Sequence, residues 1–162
     1  MGTFFQGDVQ GDGLTFAIVV ARFNREVTEC LLSGALEAFA QHGVDRERLD
    51  VVWVPGSLEL PVVAKRLAQT GRYDAIVALG CVIRHQTRHF DLVCQGATQG
   101  LVQAALDTGV PVLHGVLACY TLEQARDRAG GPRGNKGYEV AVNAIEMGSL
   151  LRRLRSLEPP GL

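Results

Sequence analysis

The segment with the most capable side chains is the polar run Arg84–His89, which reads RHQTRH. It follows an apolar stretch directly and is followed by Phe90. A histidine in such a loop is a candidate general acid or base, because the pKa of imidazole lies near neutrality; a solvated loop histidine is the alternative. Thr87, the backbone N–H groups and a helix beginning at Phe90 favour an anion such as phosphate. His85 and His89 would suit a metal only on a helix, and no third ligand is placed beside them, so we expect no metal.

A second candidate is the glycine-rich run Gly130–Gly137, which reads GGPRGNKG. Arg128 stands just before it and Lys136 lies inside it, so the run offers positive charge that a phosphate pocket would need. It is not a P-loop, because it follows a helical pattern rather than a strand and lacks the P-loop spacing. A flexible connection between two helices with incidental cations is the alternative.

Three further residues stand near the ends of predicted strands. Phe23, flanked by Arg22 and Asn24, is an aromatic residue that could stack on a flat heterocycle. Trp53 lies within a predicted strand, and we expect it in the core or in an interface. Glu59 stands at the start of a predicted helix, where the helix dipole favours a carboxylate. It could equally cap the helix or hold hydroxyl groups of a ligand.

The segments that must position these residues follow two alternating patterns. Short, nearly continuous β-branched runs predict strands covered on both faces, and longer runs with apolar residues three and four apart predict helices. The predicted strands are Leu14–Val20, Asp50–Val54, Ala75–Leu79 and Val110–Leu117, and the predicted helices are Val27–His42, Leu60–Gln69, Phe90–Leu106, Leu122–Ala129 and Val140–Leu154. This order predicts an α/β fold, a three-layer, flavodoxin-like, doubly wound sheet of about four parallel strands. Ligands of such sheets bind beyond the carboxyl ends of the strands, where the candidate loops lie.

Composition narrows the class of protein. A chain of 162 residues suits one domain, which we predict to span residues 1–157, with a disordered tail at 158–162. A net charge of −1 argues against binding of nucleic acid. No run approaches the roughly 20 apolar residues of a membrane span, which argues against insertion into a membrane. The four scattered cysteines form no CxxC pair, and the chain shows no secretory signal pattern. We therefore expect reduced thiols in a cytoplasmic protein.

Six segments, spanning nearly the whole chain in order, carry a specific resemblance. They are ARFNREVTECLLSGA (21–35), WVPGSLELPVVAK (53–65), DAIVALGCVIRHQTRHFDLVC (74–94), GVPVLHGVL (109–117), EQARDRAG (123–130) and GNKGYEVAVNAIEM (134–147). On these segments the sequence resembles the 6,7-dimethyl-8-ribityllumazine synthase family. The resemblance implies a transferase of riboflavin biosynthesis that needs no metal or organic cofactor. Its reaction would condense 5-amino-6-(D-ribitylamino)uracil with 3,4-dihydroxy-2-butanone 4-phosphate and release phosphate and water.

The resemblance also implies roles for the matching positions. His89 would be the general acid/base for imine formation, phosphate elimination and ring closure. The positions implied for the pyrimidine and its ribityl chain are Phe23, Ser57, Leu58, Glu59, Cys81, Val82, Ile83 and His114, and those implied for the phosphate are Gln86, Thr87, Arg128 and Lys136. Four positions depart from the family pattern or are variable in it: Leu58 for a common Phe, His85 for a usual Gly, Ala118 for a common Thr, and His114. If the glycine at position 85 needs a positive φ, His85 is strained by about 1–3 kcal/mol or the loop shifts. We expect altered affinity rather than lost activity.

Assembly is implied by the resemblance as well. In the family each site lies between adjacent subunits of a homopentamer, with Arg128 and its neighbours reaching across. The connection Gly130–Lys136 is short, like that of members forming icosahedral shells of sixty subunits, so we predict a shell rather than a free pentamer. Association with riboflavin synthase is a further implied partnership. The alternatives are a catalytically silent shell or flavin-binding protein, and an unrelated, monomeric flavodoxin-like module that binds a phosphate ligand.

Overall fold

The computed structural model describes residues 2–160, which contain a parallel sheet, five α-helices and a small hairpin. The sheet strands are β1 (Phe16–Ala21), β2 (Leu49–Val54), β3 (Ala75–Ile83) and β4 (Val112–Cys119). The helices are α1 (Arg25–Gln41), α2 (Leu60–Gln69), α3 (His89–Thr108), α4 (Leu122–Asp127) and α5 (Lys136–Leu154). The hairpin strands are β5 (Ala129–Gly131) and β6 (Gly134–Asn135).

The sheet has the order β2-β1-β3-β4, and every pairing in it is parallel. Val20 of β1 stands opposite Trp53 of β2 and Leu79 of β3, so β1 and β2 end at the same level, while β3 continues beyond them. All six residues of β1 are buried, as expected for a parallel strand covered on both faces. The predicted α/β fold with a four-stranded parallel sheet is confirmed, and its three layers are consistent with a flavodoxin-like architecture.

Helices cover the sheet on two sides, and side-chain alternation along β1 divides the core accordingly. Phe16, Ile18 and Val20 pack in one apolar cluster with α1 and α5, while Ala17 and Val19 join a second cluster with α2 and α3. This alternation follows from the two-residue repeat of a strand. Both faces of the sheet are therefore apolar, and polar chemistry is left to the strand ends.

Element bounds differ from the predictions at three places that bear on the site. β3 continues past Leu79 to Ile83, because it keeps pairing with β4 as far as Cys119. α5 begins at Lys136 rather than Val140, because the Asn135 side chain accepts a hydrogen bond from the Tyr138 N–H at 3.2 Å and caps the helix. The glycine-rich run is the hairpin plus the first turn of α5 rather than an unstructured connection.

The segment before β1 is attached to α5. Asp8 donates its N–H to Ser149 Oγ at 2.8 Å. Of the predicted tail, residues 161 and 162 lie outside the described residues, and residues 158–160 form no helix or strand. The domain bounds and the disordered tail stay predictions.

No helix among residues 2–160 is long and apolar enough to cross a membrane.

Gly137 lies where the first turn of α5 meets α1. A methyl group on this residue would stand 1.9 Å from the carbonyl oxygen of Leu31, a backbone atom that moves only with its helix. We expect Gly137→Ala to lower the free energy of unfolding by at least about 2 kcal/mol, measured by urea denaturation, because the core would be overpacked. Gly148→Ala in the same helix is the control. Its methyl group would meet no atom nearer than 3.2 Å, and equal losses in the two variants would contradict this explanation.

Candidate functional site

A cavity of about 430 Å³ opens at the carboxyl edge of the sheet. Its lining comes from the segments that follow β1 and β2, from the end of β3, and from the loop and first turns of α3. The lining residues are Phe23, Pro55, Gly56, Ser57, Leu58, Glu59, Cys81, Val82, Ile83, His85, Thr87, His89, Phe90 and Val93. Because parallel strands end at the same edge, segments far apart in sequence meet here.

Most of the predicted site residues share this cavity. Those that line it are Phe23, Ser57, Leu58, Glu59, Cys81, Val82, Ile83, Thr87 and His89. Phe90 and Val93 also line the cavity and were not predicted from the sequence. The available signal was their position at the start of a helix, next to the loop Arg84–Arg88 (the histidine loop). Gln86 lies in the same loop as Thr87 but does not line the cavity. His114, Arg128 and Lys136 lie elsewhere.

The cavity offers an open apolar surface. The Phe23 side chain is 66% exposed and Leu58 is 47% exposed, although both belong to residue types that a folded chain usually covers. Phe90 adds a second aromatic ring to the lining. Exposed apolar residues around a concave site suit a flat ligand, and polar groups at its rim can orient that ligand.

The turn that carries Phe23 is held by backbone and side-chain hydrogen bonds. The Phe23 N–H donates to the carbonyl oxygen of Pro55 at 2.9 Å, which joins the turns that follow β1 and β2. The next residue, Asn24, has φ 61° and ψ 45°, and no other non-glycine residue among residues 2–160 has a positive φ. Its side-chain amide donates to the carbonyl oxygen of Cys81 at 2.8 Å. Asn24 therefore connects the turn that carries the exposed Phe23 ring, the aromatic face of the cavity, to the end of β3.

Polar groups on the second segment lie beside this face. Ser57, Leu58 and Glu59 form one 3-10 turn, in which the Glu59 N–H donates to the carbonyl oxygen of Gly56 at 3.1 Å. Ser57 is buried, whereas Glu59 keeps part of its surface in solvent. The hydroxyl and the carboxylate are suited to bind hydroxyl groups of a ligand, since together they can donate and accept hydrogen bonds.

The histidine loop leads into α3, and His89 is the first residue of that helix. Its N–H lies 3.4 Å from Thr87 Oγ1, and no side chain among the described residues bonds its ring. The imidazole is therefore free to exchange a proton with a ligand, and the N–H groups of the first turn of α3 attract an anion. His85 has no positive φ, so the backbone strain considered for this position does not arise.

Cys81 contributes surface rather than reactivity. Burial raises the pKa of its thiol to about 12, and the nearby Cys119 thiol adds to this shift. A thiol with such a pKa is protonated at neutral pH and is a poor nucleophile. The residues Cys81–Ile83 therefore offer a ligand their backbone groups and apolar side chains.

Arg128 lines a second cavity, of about 300 Å³, at the carboxyl end of β4. The lining residues of this cavity are Ala118, Cys119, Tyr120, Gln124, Asp127, Arg128 and Arg133. Cys119 is the register partner of Ile83, which lines the first cavity, so the two cavities flank neighbouring strands. The rings of Phe90 and Tyr120, with centroids 6.4 Å apart, stand between the cavities. Burial raises the pKa of the Cys119 thiol, and the Arg128 guanidinium opposes that shift in part.

His114 and Lys136 lie outside both cavities. The Nε2 atom of His114, on edge strand β4, lies 3.0 Å from Thr98 Oγ1 of α3. Burial lowers the pKa of its imidazole, a backbone hydrogen bond opposes this shift in part, and the charge of Lys136 adds to it. The Lys136 N–H donates to the carbonyl oxygen of Arg128 at 2.8 Å. Within one chain, therefore, neither Arg128 nor Lys136, the predicted cationic partners of the phosphate, lines the cavity that holds Thr87 and His89.

The fold and the cavity define an α/β protein with a ligand site at the carboxyl edge of a parallel sheet. Residues 13–152 match the model of the family described as 6,7-dimethyl-8-ribityllumazine synthase. A protein named 6,7-dimethyl-8-ribityllumazine synthase from Thermococcus onnurineus (strain NA1) is 53% identical over 150 residues, covering 93% of this chain and 97% of the relative. Another of that name, from Salinibacter ruber (strain DSM 13855 / M31), is 53% identical over 154 residues, covering 95% and 99%.

The chain therefore belongs to the 6,7-dimethyl-8-ribityllumazine synthase family. The prediction of this family, and with it of an enzyme of riboflavin biosynthesis, is confirmed. The roles of individual residues stay predictions.

Asn24 provides a test of how the aromatic face is positioned. Replacing it with Ala removes the hydrogen bond to Cys81 and puts a residue poorly suited to the left-handed conformation at φ 61°. We expect Asn24→Ala to lower the free energy of unfolding by about 2–3 kcal/mol in chemical denaturation. Asn24→Gly accepts the conformation but still lacks the amide, so about half of the loss should remain. Equal stability of the Ala and Gly variants would contradict a contribution from backbone conformation.

Proposed function

We propose that the carboxyl-edge cavity binds 5-amino-6-(D-ribitylamino)uracil and that His89 serves its condensation with 3,4-dihydroxy-2-butanone 4-phosphate. The observation that carries this proposal is the presence of an open aromatic face, at Phe23, and an unbonded imidazole, at His89, in one cavity. Membership of the family supplies the reaction, whose products are 6,7-dimethyl-8-ribityllumazine, phosphate and water.

The pyrimidine ring lies against Phe23, whose exposed ring provides a flat apolar surface. Backbone groups of Cys81, Val82 and Ile83 bind its polar edge. The ribityl chain extends toward Ser57 and Glu59, which bind its hydroxyl groups. Leu58 forms an aliphatic wall there, where the family commonly has an aromatic one, and we expect this difference to alter affinity rather than chemistry.

The phosphate of the second substrate binds at the start of α3. Thr87 and Gln86 stand in the loop before that helix, whose N–H groups favour an anion. Arg128 supplies the cationic partner, and Lys136 adds positive charge. Both residues come from a neighbouring copy of the chain. Within one chain neither lines the first cavity, and Arg128 lines the second.

Proton transfer is the part that His89 performs. The amine of the pyrimidine substrate condenses with the ketone, and water leaves as the imine forms. Removal of the C3 proton beside the imine then lets the phosphate depart from C4 and leaves an enol, which takes up a proton at C4 to become a ketone. The ribitylamino nitrogen attacks this ketone, and loss of a second water closes the ring. An imidazole can both donate and accept these protons through its ring nitrogens. Holding two substrates in contact contributes much of the rate, since it makes a bimolecular step effectively intramolecular.

Several exposed apolar side chains support self-association. Val62 on α2 is 63% exposed, and Leu92, Val102 and Leu106 on α3 are 61%, 54% and 73% exposed. Apolar surface of this kind marks interfaces, and the division of the site between two cavities requires a partner chain. We propose a homopentamer, and from the short hairpin a shell of sixty subunits. The cytoplasmic location and an association with riboflavin synthase stay predictions.

A catalytically silent shell or flavin-binding protein is the main alternative. It would use the same aromatic face and the same assembly but no proton transfer. The free imidazole of His89 and the presence of Arg128 favour the enzyme, because binding alone needs neither. A monomeric module of unrelated function is disfavoured by the family match over residues 13–152.

His89→Ala tests the proposed chemistry. We expect its kcat to fall by about 10²–10⁴-fold in a steady-state assay with both substrates, the usual contribution of a positioned general acid/base. His85→Ala in the same loop is the matched control, and its kcat should stay within about ten-fold of the parent because His85 has no assigned proton transfer. Absence of lumazine product from the parent protein would contradict the function. Unchanged turnover in His89→Ala would favour the silent alternative.

The mass of the particle in solution tests the assembly. Static light scattering should give about sixty chains per particle, with subunit contacts made by the apolar residues of α2 and α3. Leu106→Glu replaces the most exposed of these apolar side chains of α3 with a charged one and should shift the distribution of particle masses toward smaller species. A particle of pentamer mass would contradict the shell, and a monomer would contradict the shared site as well.

A further inference from the structure

We propose that Arg133 is a second guanidinium of the phosphate site, acting beside Arg128. Both residues line the 300 Å³ cavity at the carboxyl end of β4. The proposal rests on the proposed function, because it assumes that Arg128 meets the phosphate of the butanone substrate. The resemblance assigns no role to Arg133. This residue lies in the glycine-rich run Gly130–Gly137, for which a flexible connection between two helices was the alternative interpretation.

The hairpin holds Arg133 at a defined place relative to Arg128. Arg133 belongs to the two-residue loop between β5 and β6, and its N–H donates to the carbonyl oxygen of Asp127 at 2.9 Å. Lys136, just after the hairpin, donates its N–H to the carbonyl oxygen of Arg128 at 2.8 Å. The hairpin is therefore bonded to the end of α4 at both of its sides, and Arg128 lies at that same end.

Gly131 allows this close approach. A methyl group on Gly131 would stand 2.8 Å from the carbonyl oxygen of Arg126 and 2.8 Å from the Cα atom of Asp127. Both are backbone atoms at the end of α4, so a larger residue would push the hairpin outward. The glycine thus brings the Arg133 backbone against the helix end, where its side chain shares a cavity with Arg128.

The charges of the two arginines are available to a ligand. Arg126 in α4 has its guanidinium 2.6 Å from a carboxylate oxygen of Glu26, whereas within residues 2–160 neither Arg128 nor Arg133 forms an ion pair. Asp127 is the one carboxylate among the residues that line the cavity, so their side chains carry a net positive charge. Gln124 also lines it, and its Oε1 accepts the Tyr120 N–H at 2.9 Å, which leaves its amide N–H groups for a ligand.

A phosphate monoester has use for two guanidinium groups. It carries about −1.5 to −2 charges at neutral pH on three terminal oxygens, whereas one guanidinium binds two oxygens and neutralises one charge. Arg133 therefore adds charge and donors to those that Arg128 supplies. Lys136, which adds positive charge to the proposed site, does not line this cavity.

Kinetics with both substrates, and inhibition by inorganic phosphate, test the proposal in the assembled protein. Arg133→Gln should raise the KM for the butanone phosphate and the inhibition constant of inorganic phosphate about ten-fold each, the loss expected for a charge-assisted contact. The KM for the pyrimidine substrate should not change. Arg133→Lys, which keeps the charge, should recover part of the loss. Arg126→Gln is the control, since its guanidinium faces Glu26 and all constants should match the parent.

The possible failures are distinguishable. If Arg128→Gln raises both phosphate-dependent constants and Arg133→Gln does not, the role of Arg133 is wrong and the proposed function stands. If Arg133→Gln raises the KM of both substrates equally, Arg133 supports the fold and the proposal is overturned. If Arg128→Gln also leaves the phosphate-dependent constants unchanged, the phosphate assignment shared by both residues is wrong.

Discussion

The burial of the central strands on both faces is the constraint on which the rest of the molecule depends. β1 is fully buried, and the first seven residues of β3 are buried as well. Backbone N–H and C=O groups in such positions must pair with neighbouring strands, and side chains there must be apolar. Polar chemistry is thereby confined to the ends of the strands. Parallel pairing brings the carboxyl ends of the strands to one edge, which is where Phe23, Ser57 and His89 meet.

The residues proposed to bind the phosphate are divided between two cavities. Thr87 lines the first cavity, whereas Arg128 lines the second, at the carboxyl end of edge strand β4. The residues that line the second cavity do not line the first. In the proposed pentamer a neighbouring copy presents its second cavity to the first, and association completes the site. Activity then depends on assembly, because subunit contacts position the cationic groups.

Much of the fold could be predicted because the buried strands are marked by continuous β-branched runs and the helices by their three- and four-residue spacing. The extension of β3 could not, because Gly80 and Cys81 interrupt the apolar run and only pairing with β4 defines the strand end. The hairpin was missed for a similar reason: strands of three and two residues are too short to show an alternating pattern. The left-handed conformation of Asn24 depends on its bond to Cys81, a contact between segments distant in sequence.

Less of the candidate site than of the fold could be predicted from the sequence. Spacing alone identified the histidine loop and Phe23, because both follow apolar runs whose ends must meet. The roles proposed for His114, Arg128 and Lys136 came from the resemblance, since no local pattern in a sequence can indicate service in another chain. Arg133 was visible as one of several cations in a glycine-rich run. Its relation to Arg128 became apparent only from the hairpin that brings it back to the end of α4.

The sharing of the site between two chains is tested most directly by mixing inactive subunits. His89→Ala removes the proton-transfer group of one cavity, and Arg128→Ala removes the phosphate partner in the other. Chains of the two variants, unfolded together and reassembled in equal amounts, should form intact sites wherever a His89-bearing chain adjoins an Arg128-bearing one. Random assembly in a ring makes about a quarter of the sites intact, so about a quarter of the parent activity should return. A mixture no more active than its separate components would contradict a shared site.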